Sequence, residues 1–264
     1  MKKFLINLFR FLRNGLSPAR RYRYIRLSPI IFGKVFIFDK VEKKLLKVYA
    51  KTSSDLYTID AILVNEEYKF QKYKTWGKYF TGDRPITFVD VGANIGIASF
   101  YMMNEFKKIS TILIEPDCAN IELSKQNTRN KETRFINGAL SSHRQSYNII
   151  NETGNNNAYR IKLGEGTSST LCIDDLEIDY EETSYYILKI DIEGHERNLF
   201  SDGVRNFRKF HIIIVEHHDW LFPGKAISKS LLKFLSEGRY DVVGNGNTMF
   251  CFNLELLEAS GNVE

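Results

Sequence analysis

From residue 86 to the C-terminus, short apolar runs alternate with stretches of helical period. Ile86-Thr87-Phe88-Val89 opens a strand over 86–91, and a helix follows near 95–105. TILIE at 111–115 stops at Pro116, ahead of a helix near 118–129. A strand at 134–136 runs into NGALS. YYILKI at 185–190 precedes a helix opened by DIEGHE, and HIIIV at 211–215 precedes one near 226–236. Tyr240–Val243 and MFCF at 249–252 flank a GNGN turn and predict an antiparallel hairpin. Residues 146–163 break the alternation: they are polar, with NETGNNN at 151–157, and predict an inserted hairpin. Strands at this spacing, joined by helices, predict an α/β doubly wound sheet that is mostly parallel.

Upstream the pattern changes. Residues 34–38 and 45–50 predict paired strands around a charged turn. Ser53-Ser54-Asp55 supplies N-caps for a helix running through Ile62 and Val64. Tyr68, Phe70, Tyr73, Trp76, Tyr79 and Phe80 read as packing residues, and Gly82 and Pro85 mark the start of the main domain. The expected division is an N-terminal extension over 1–80 and a main domain over 81–264.

The charge pattern singles out the first segment. Net charge is +5, yet Met1 to Arg26 holds eight Lys or Arg and no acid, so the remainder is slightly acidic. Residues 2–16 place Phe4, Leu5, Leu8, Phe9, Phe11, Leu12 and Leu16 on one helical face, with Lys3, Arg10 and Arg13 opposite. Two readings fit: peripheral contact with an anionic membrane, or docking on the chain's own domain or a second subunit. The main domain has no basic patch interleaved with aromatics, so nucleic acid is not an expected partner. Cys118, Cys172 and Cys251 are widely spaced and predict neither a zinc site nor a disulfide framework. No run is long enough to span a bilayer, and no signal peptide is read. The expected location is cytoplasmic, with the membrane contact peripheral.

The candidate chemistry begins at TFVDVGANIGIAS, residues 87–99. Strand, glycine turn and helix form the unit that grips a nucleotide-like ligand at the carboxyl end of a parallel sheet. The turn holds Gly92, Ala93, Asn94 and Gly96. Asn94 stands where a dinucleotide fold needs its second glycine, which argues against a pyrophosphate. Asp90, just before the turn, repels phosphate and attracts ammonium or sulfonium groups. S-Adenosylmethionine carries both cations and no phosphate. Glu115, at the end of the next strand, suits the ribose hydroxyls. Asn137 and Ala139, in the tip 137–141, suit the adenine edge.

A closing antiparallel hairpin on such a sheet is the layout of the class I methyltransferase fold, which is Rossmann-like. With VDVGANIG (89–96), IEP (114–116), NGALS (137–141), TLCIDDL (170–176), LKIDIEGHE (188–196) and VEHH (215–218), the chain resembles the FkbM family of S-adenosylmethionine-dependent methyltransferases over about residues 53–252. Cys172 and Ile173 intervene where the family has TLD directly. The resemblance implies methyl transfer, usually to a hydroxyl oxygen of a sugar, glycolipid, polysaccharide or polyketide-type acceptor. Polysaccharide biosynthesis is one such setting.

The residues for proton removal are expected at the tips of the fourth and fifth main-domain strands. These are Asp191 and Glu193, then Glu216, His217 and His218. Either His217 or a carboxylate acts as general base, or Asp191 with Glu216, alone or joined by His217, holds a divalent metal. The metal-free route is the favoured expectation. Glu196 reads as a helix N-terminal acid, His195 as a residue of the exposed helix, and Lys189 as the partner of a neighbouring acid. Acceptor contacts are expected from 53–80, 146–163 and 217–228.

Overall fold

A computed structural model describes residues 21–24, 33–73, 80, 84–129, 132–150, 160–164, 166–201 and 204–260. The helix expected over 2–16, Trp76 and Tyr79, and the turn at 151–157 lie outside them.

The lead-in contains strands β1 (Tyr22–Tyr24), β2 (Lys34–Asp39) and β3 (Lys44–Tyr49), an antiparallel sheet in the order β1-β2-β3. The sequence pattern gives no sign of β1. Helix α1 (Ser53–Ile59) follows and continues as a π-helical turn, Asp60–Val64. Its N-cap is Thr52, one residue before the expected serines. Thr52 Oγ1 accepts from the Asp55 amide at 3.1 Å, and Asp55 Oδ2 accepts from the Thr52 amide at 2.9 Å.

The main domain runs β4 (Ile86–Val91), α2 (Ile97–Glu105), β5 (Ile109–Glu115), α3 (Cys118–Asn127) and β6 (Thr133–Asn137). The insertion supplies β7 (Ser146–Ile150), β8 (Arg160–Leu163) and β9 (Ser168–Ser169), a small sheet in the order β8-β7-β9. Then come β10 (Tyr185–Ile190), the four-residue α4 (Glu196–Leu199), β11 (Ile212–Glu216), α5 (Lys229–Ser236), β12 (Tyr240–Asn245), β13 (Thr248–Asn253) and α6 (Leu254–Ala259). The helix opened by DIEGHE is thus much shorter than its sequence pattern suggests, and α6 is an addition to the expected elements.

Seven strands form the central sheet in the order β12-β13-β11-β10-β4-β5-β6. Strands β10, β11, β4, β5 and β6 pair in parallel. Strand β13 is antiparallel to both of its neighbours, so it alone is reversed. This is the class I methyltransferase arrangement.

Strand alternation divides the core into two layers. Phe88, Ile187, Ile212, Ile214, Phe250 and Phe252 face one side. Val89, Val91, Leu188, Ile190, Ile213, Val215 and Cys251 face the other. The first layer also takes in Tyr22, Val35, Ile37, Val48, Ile59 and Leu63, so the lead-in shares a core with the sheet. Tyr68, Phe70 and Phe80 are buried there too, as packing residues. Through Glu67 and Tyr68 the lead-in reaches the carboxyl end of the sheet, where the same cleft is lined by Lys189 and Glu216. Among the described residues, no helix is long and apolar enough to cross a membrane.

Candidate active site

The glycine turn is shaped by how close its neighbours come. Gly92 has φ +72°, and a Cβ there would overlap the carbonyl oxygen of Asp191. Gly96 has φ +79°, and a Cβ would meet Ser124 Cβ at 2.9 Å. Both glycines therefore serve close chain approach and left-handed backbone. The Gly92 and Ala93 amides both donate to Ile114 O at 3.0 Å, which ties the turn to β5. Asn94, itself at φ +50°, donates its amide to Glu115 Oε2 at 2.8 Å.

Asp90 is placed differently from its sequence reading. Its carboxylate is fully buried and lines neither of the clefts described below. Ser99 Oγ donates to it at 2.7 Å, and Lys189 Nζ lies 3.1 Å away. Lys189 also donates to Gly92 O at 2.7 Å and approaches Asp191 at 3.6 Å. Burial disfavours the ammonium, but Asp90 and Asp191 outweigh it and hold Lys189 charged. Asp90 is thus a buried counter-ion that fixes the turn, and does not face a ligand.

Above the turn lies a cleft of about 580 Å³, lined by Gly92, Asn94, Glu115, Asn120, Gly138, Ala139, Leu140, Asp191 and Glu193. Glu115 receives the amides of Asn94 and Asp117, the latter at 3.0 Å, one on each oxygen. Burial pushes its pKa up to about 7 against those hydrogen bonds. The Asn120 side chain bonds the carboxylate too, so of its four acceptor sites one stays open for a hydroxyl donor. Asn137 does not line this cleft. Its Nδ2 donates to Glu115 O and Pro116 O, both at 2.9 Å, which holds the tip so that Gly138 and Ala139 face inward. His195, read from sequence as exposed, is 8% exposed and lines the cleft; burial pushes its pKa down to about 4.

A second cleft, of about 1260 Å³, adjoins the first. Gly92, Asn94, Asp191 and Glu193 line both. The second is acidic, with Glu67 and Glu216 joining Asp191 and Glu193. Asp191 first, then burial, then Glu67 raise Glu216 to about 9. Burial and then Asp191 raise Glu193 to about 7. Glu193 sits at φ +53° and Gly194 at φ +97°, a tight turn that aims the Glu193 carboxyl back toward Asp191. A Cβ on Gly194 would overlap the Phe222 ring. Such left-handed backbone at a non-glycine residue is a cost that sites tend to retain.

The histidine brought into this cluster is His218, not His217. Along the extended chain leaving β11, residues 216 and 218 point one way and 217 the other. His217 bonds through its amide to Asn247 O at 2.9 Å and lines neither cleft. His218 is 1% exposed. Its Nε2 lies 3.8 Å from Asp191 and 3.6 Å from Glu193. Its Nδ1 lies 2.9 Å from Glu196 Oε1. Burial disfavours the imidazolium, yet the Glu196 hydrogen bond and the charges of Glu196, Asp191 and Glu193 raise His218 to about 9. Glu196, read from sequence as a helix-end acid, is buried and also accepts the amides of Ile192 and Gly194 at 3.3 Å each.

Ligand atoms of Asp191, Glu193 and His218 lie within 4.8 Å of one another, a set of one imidazole and two carboxylates that fits a divalent cation. That set differs from the one expected from sequence, because Glu216 and His217 are not in it. The three stretches expected to contact an acceptor all reach the second cleft, through Tyr57, Glu67 and Tyr68, through Arg160, and through Trp220 and Leu221.

A sequence model described as the Methyltransferase FkbM domain matches residues 90–242, more than half of the chain. The chain belongs to the FkbM methyltransferase family. Membership of that family makes the chain a methyltransferase. No curated protein matches the sequence. Solved structures with some likeness include a precorrin-6y C5,15-methyltransferase from Geobacter metallireducens GS-15, at 10% identity over 68% of this chain and 84% of that one, TM-score 0.36. Another is a putative caffeoyl-CoA O-methyltransferase from Staphylococcus aureus, at 11% identity over 76% and 92%, TM-score 0.43. A third is a point mutant of MtNAS in complex with S-adenosylmethionine, at 12% identity over 77% and 68%, TM-score 0.40.

Proposed function

We propose that this FkbM-family protein O-methylates a hydroxyl of a saccharide-bearing or natural-product acceptor. The observation that carries the reading is the shared wall. Asp191 and Glu193 line the cleft that holds Glu115, Gly138 and Ala139 and, on the other side, a larger open cleft. A sulfonium methyl in the first would point across Asp191 and Glu193 into the second. Glu115 would take the ribose hydroxyls, Gly138 and Ala139 the purine face, and Asp191 the cationic end of the donor.

Transfer is an in-line displacement. The acceptor oxygen attacks the methyl carbon, the carbon–sulfur bond breaks, and the hydroxyl proton leaves to a base. Glu193 is the proposed base, because its pKa of about 7 is matched to neutral pH. His218, held protonated beside it, balances the carboxylate charge. A divalent cation at Asp191, Glu193 and His218 would instead lower the pKa of the hydroxyl itself, and that donor set supports this as the second reading. The exposed rings of Tyr57 and Trp220, 69% and 60% accessible at the mouth of the second cleft, support a saccharide that stacks on aromatic faces.

Calorimetric titration tests the donor assignment. S-Adenosylmethionine and S-adenosylhomocysteine should each bind at one site without added metal. An absence of binding by either would end this reading.

A further inference from the structure

Away from the clefts, the lead-in sheet presents a second chemistry. Its inner face is closed: Val35, Ile37 and Val48 are fully buried. Its outer face carries the alternate residues. Cross-strand partners Lys34 and Tyr49, Phe36 and Lys47, and Phe38 and Leu45 therefore share that side. Phe36 and Phe38 are half-buried there. At the hairpin tip Val41 is 65% and Leu45 56% exposed, next to the exposed Lys43 and Lys44. Glu42 is the acid in that turn.

Three cations converge on one ring. Lys47 Nζ lies 5.0 Å from the Tyr49 ring centroid, Arg129 Cζ 5.7 Å and Lys34 Nζ 5.9 Å. Arg129 also donates to the Tyr49 hydroxyl at 3.5 Å. Together they pull the Tyr49 phenol below its usual range, with Lys47 contributing most. Among the described residues, no carboxylate pairs with Lys34, Lys43, Lys44, Lys47 or Arg129. An open cleft of about 790 Å³ runs beside Lys47, Tyr49 and Arg129, floored by Phe100 and Met103.

We propose that this face docks on an anionic phospholipid surface, with Val41 and Leu45 entering the acyl boundary and the lysines and Arg129 meeting lipid phosphates. An excess of unpaired cations, with Glu42 the acid at the tip, attracts a polyanion of any kind. The exposed aliphatic tip decides for lipid, because Val41 and Leu45 gain from hydrocarbon and gain nothing from a nucleic acid. Aromatic rings interleaved with lysine are the composition of a membrane interface. Tyr49 is tied by its amide to Asn127 Oδ1 at 2.6 Å, and Asn127 Nδ2 donates to Ile95 O at 2.8 Å, beside the glycine turn. The docking face is thus hydrogen-bonded through Asn127 to the glycine turn, and its β3 leads directly into α1, whose Tyr57 walls the second cleft.

Vesicle flotation of the full chain tests this. The probes are phosphatidylcholine vesicles with and without phosphatidylglycerol, at low and high salt, with heparin affinity in parallel. The wild type should float with phosphatidylglycerol vesicles and lose binding at high salt. Each lysine near an anionic surface contributes about fivefold. The triple change Lys43→Glu, Lys44→Glu, Lys47→Glu should therefore lower partitioning by more than about tenfold. The pair Val41→Asn, Leu45→Asn should lower partitioning and leave heparin affinity unchanged. All five residues are exposed, so the melting temperature should hold in both variants. The proposal is overturned if both variants float like the wild type, or if the wild type binds heparin and no vesicle.

Discussion

Glu196 Oε1 lies 2.9 Å from His218 Nδ1 and also receives two backbone amides of the 191–196 loop. One buried carboxylate therefore sets the loop that carries Asp191 and Glu193, and the ring that faces them. Glu196→Gln should keep the loop bonds and lose the charge. His218 should then titrate well below its present value of about 9. A histidine raised above its ordinary 6.5 contributes stability that is complete below that pH and lost as pH rises through about 9. The variant should lose that contribution at lower pH, as read by imidazole NMR shifts and melting curves over the same range. An unchanged His218 titration would mean that Glu196 does not hold the proton.

Glu216 gives a stability test of opposite outcome. Asp191 and burial raise it from 4.5 to about 9, so its contribution is full below 4.5 and lost as pH rises through about 9. Glu216→Gln removes that loss. The variant should gain melting temperature over the wild type as pH goes from acid to alkaline, at about 2–4 °C per kcal/mol for a chain of this size. Melting temperatures that run parallel across the range would contradict the acidic-cleft electrostatics.

Glu115 should control donor affinity. Hydrogen bonds from ligand hydroxyls to a charged acceptor are worth about 1.5–3 kcal/mol. Glu115→Gln should weaken S-adenosylhomocysteine by about ten- to a hundredfold on that scale. Because burial raises Glu115 to about 7, wild-type affinity should also fall as pH drops below that value. Calorimetry at several pH values reads both effects.

Much of this was legible in the chain. The alternation of apolar runs located all seven strands of the central sheet, and the IEP and NGALS segments pointed to residues that line the first cleft. Side-chain direction was less legible. Asp90 reads as a ligand-facing acid until Lys189, far along the chain, is seen 3.1 Å away as its counter-ion. His217 and His218 cannot be told apart in a VEHH string, because the choice depends on where β11 ends and how the chain leaves it. Glu196 was hidden for a similar reason: helix-end acids are common, and its burial comes from packing against the fifth-strand tip.

Two glycines separate backbone from contact. Gly92→Ala drives a Cβ into the Asp191 carbonyl oxygen, with no side-chain rotation to relieve it. It should cost about 3 kcal/mol or more. Gly246→Ala meets nothing within 4 Å at φ +64°, so only the left-handed backbone is penalised, by about 1–2 kcal/mol. Urea unfolding of the two variants should rank them in that order.

The most direct measurement is transfer of labelled methyl from S-adenosylmethionine into a cell extract, with wild type and Glu193→Gln compared at equal donor occupancy. The wild type should label a discrete acceptor, and Glu193→Gln should bind the donor yet transfer about a hundredfold more slowly or worse, the scale of a lost general base. Equal labelling by both proteins would contradict the role given to the Asp191–Glu193 wall between the clefts.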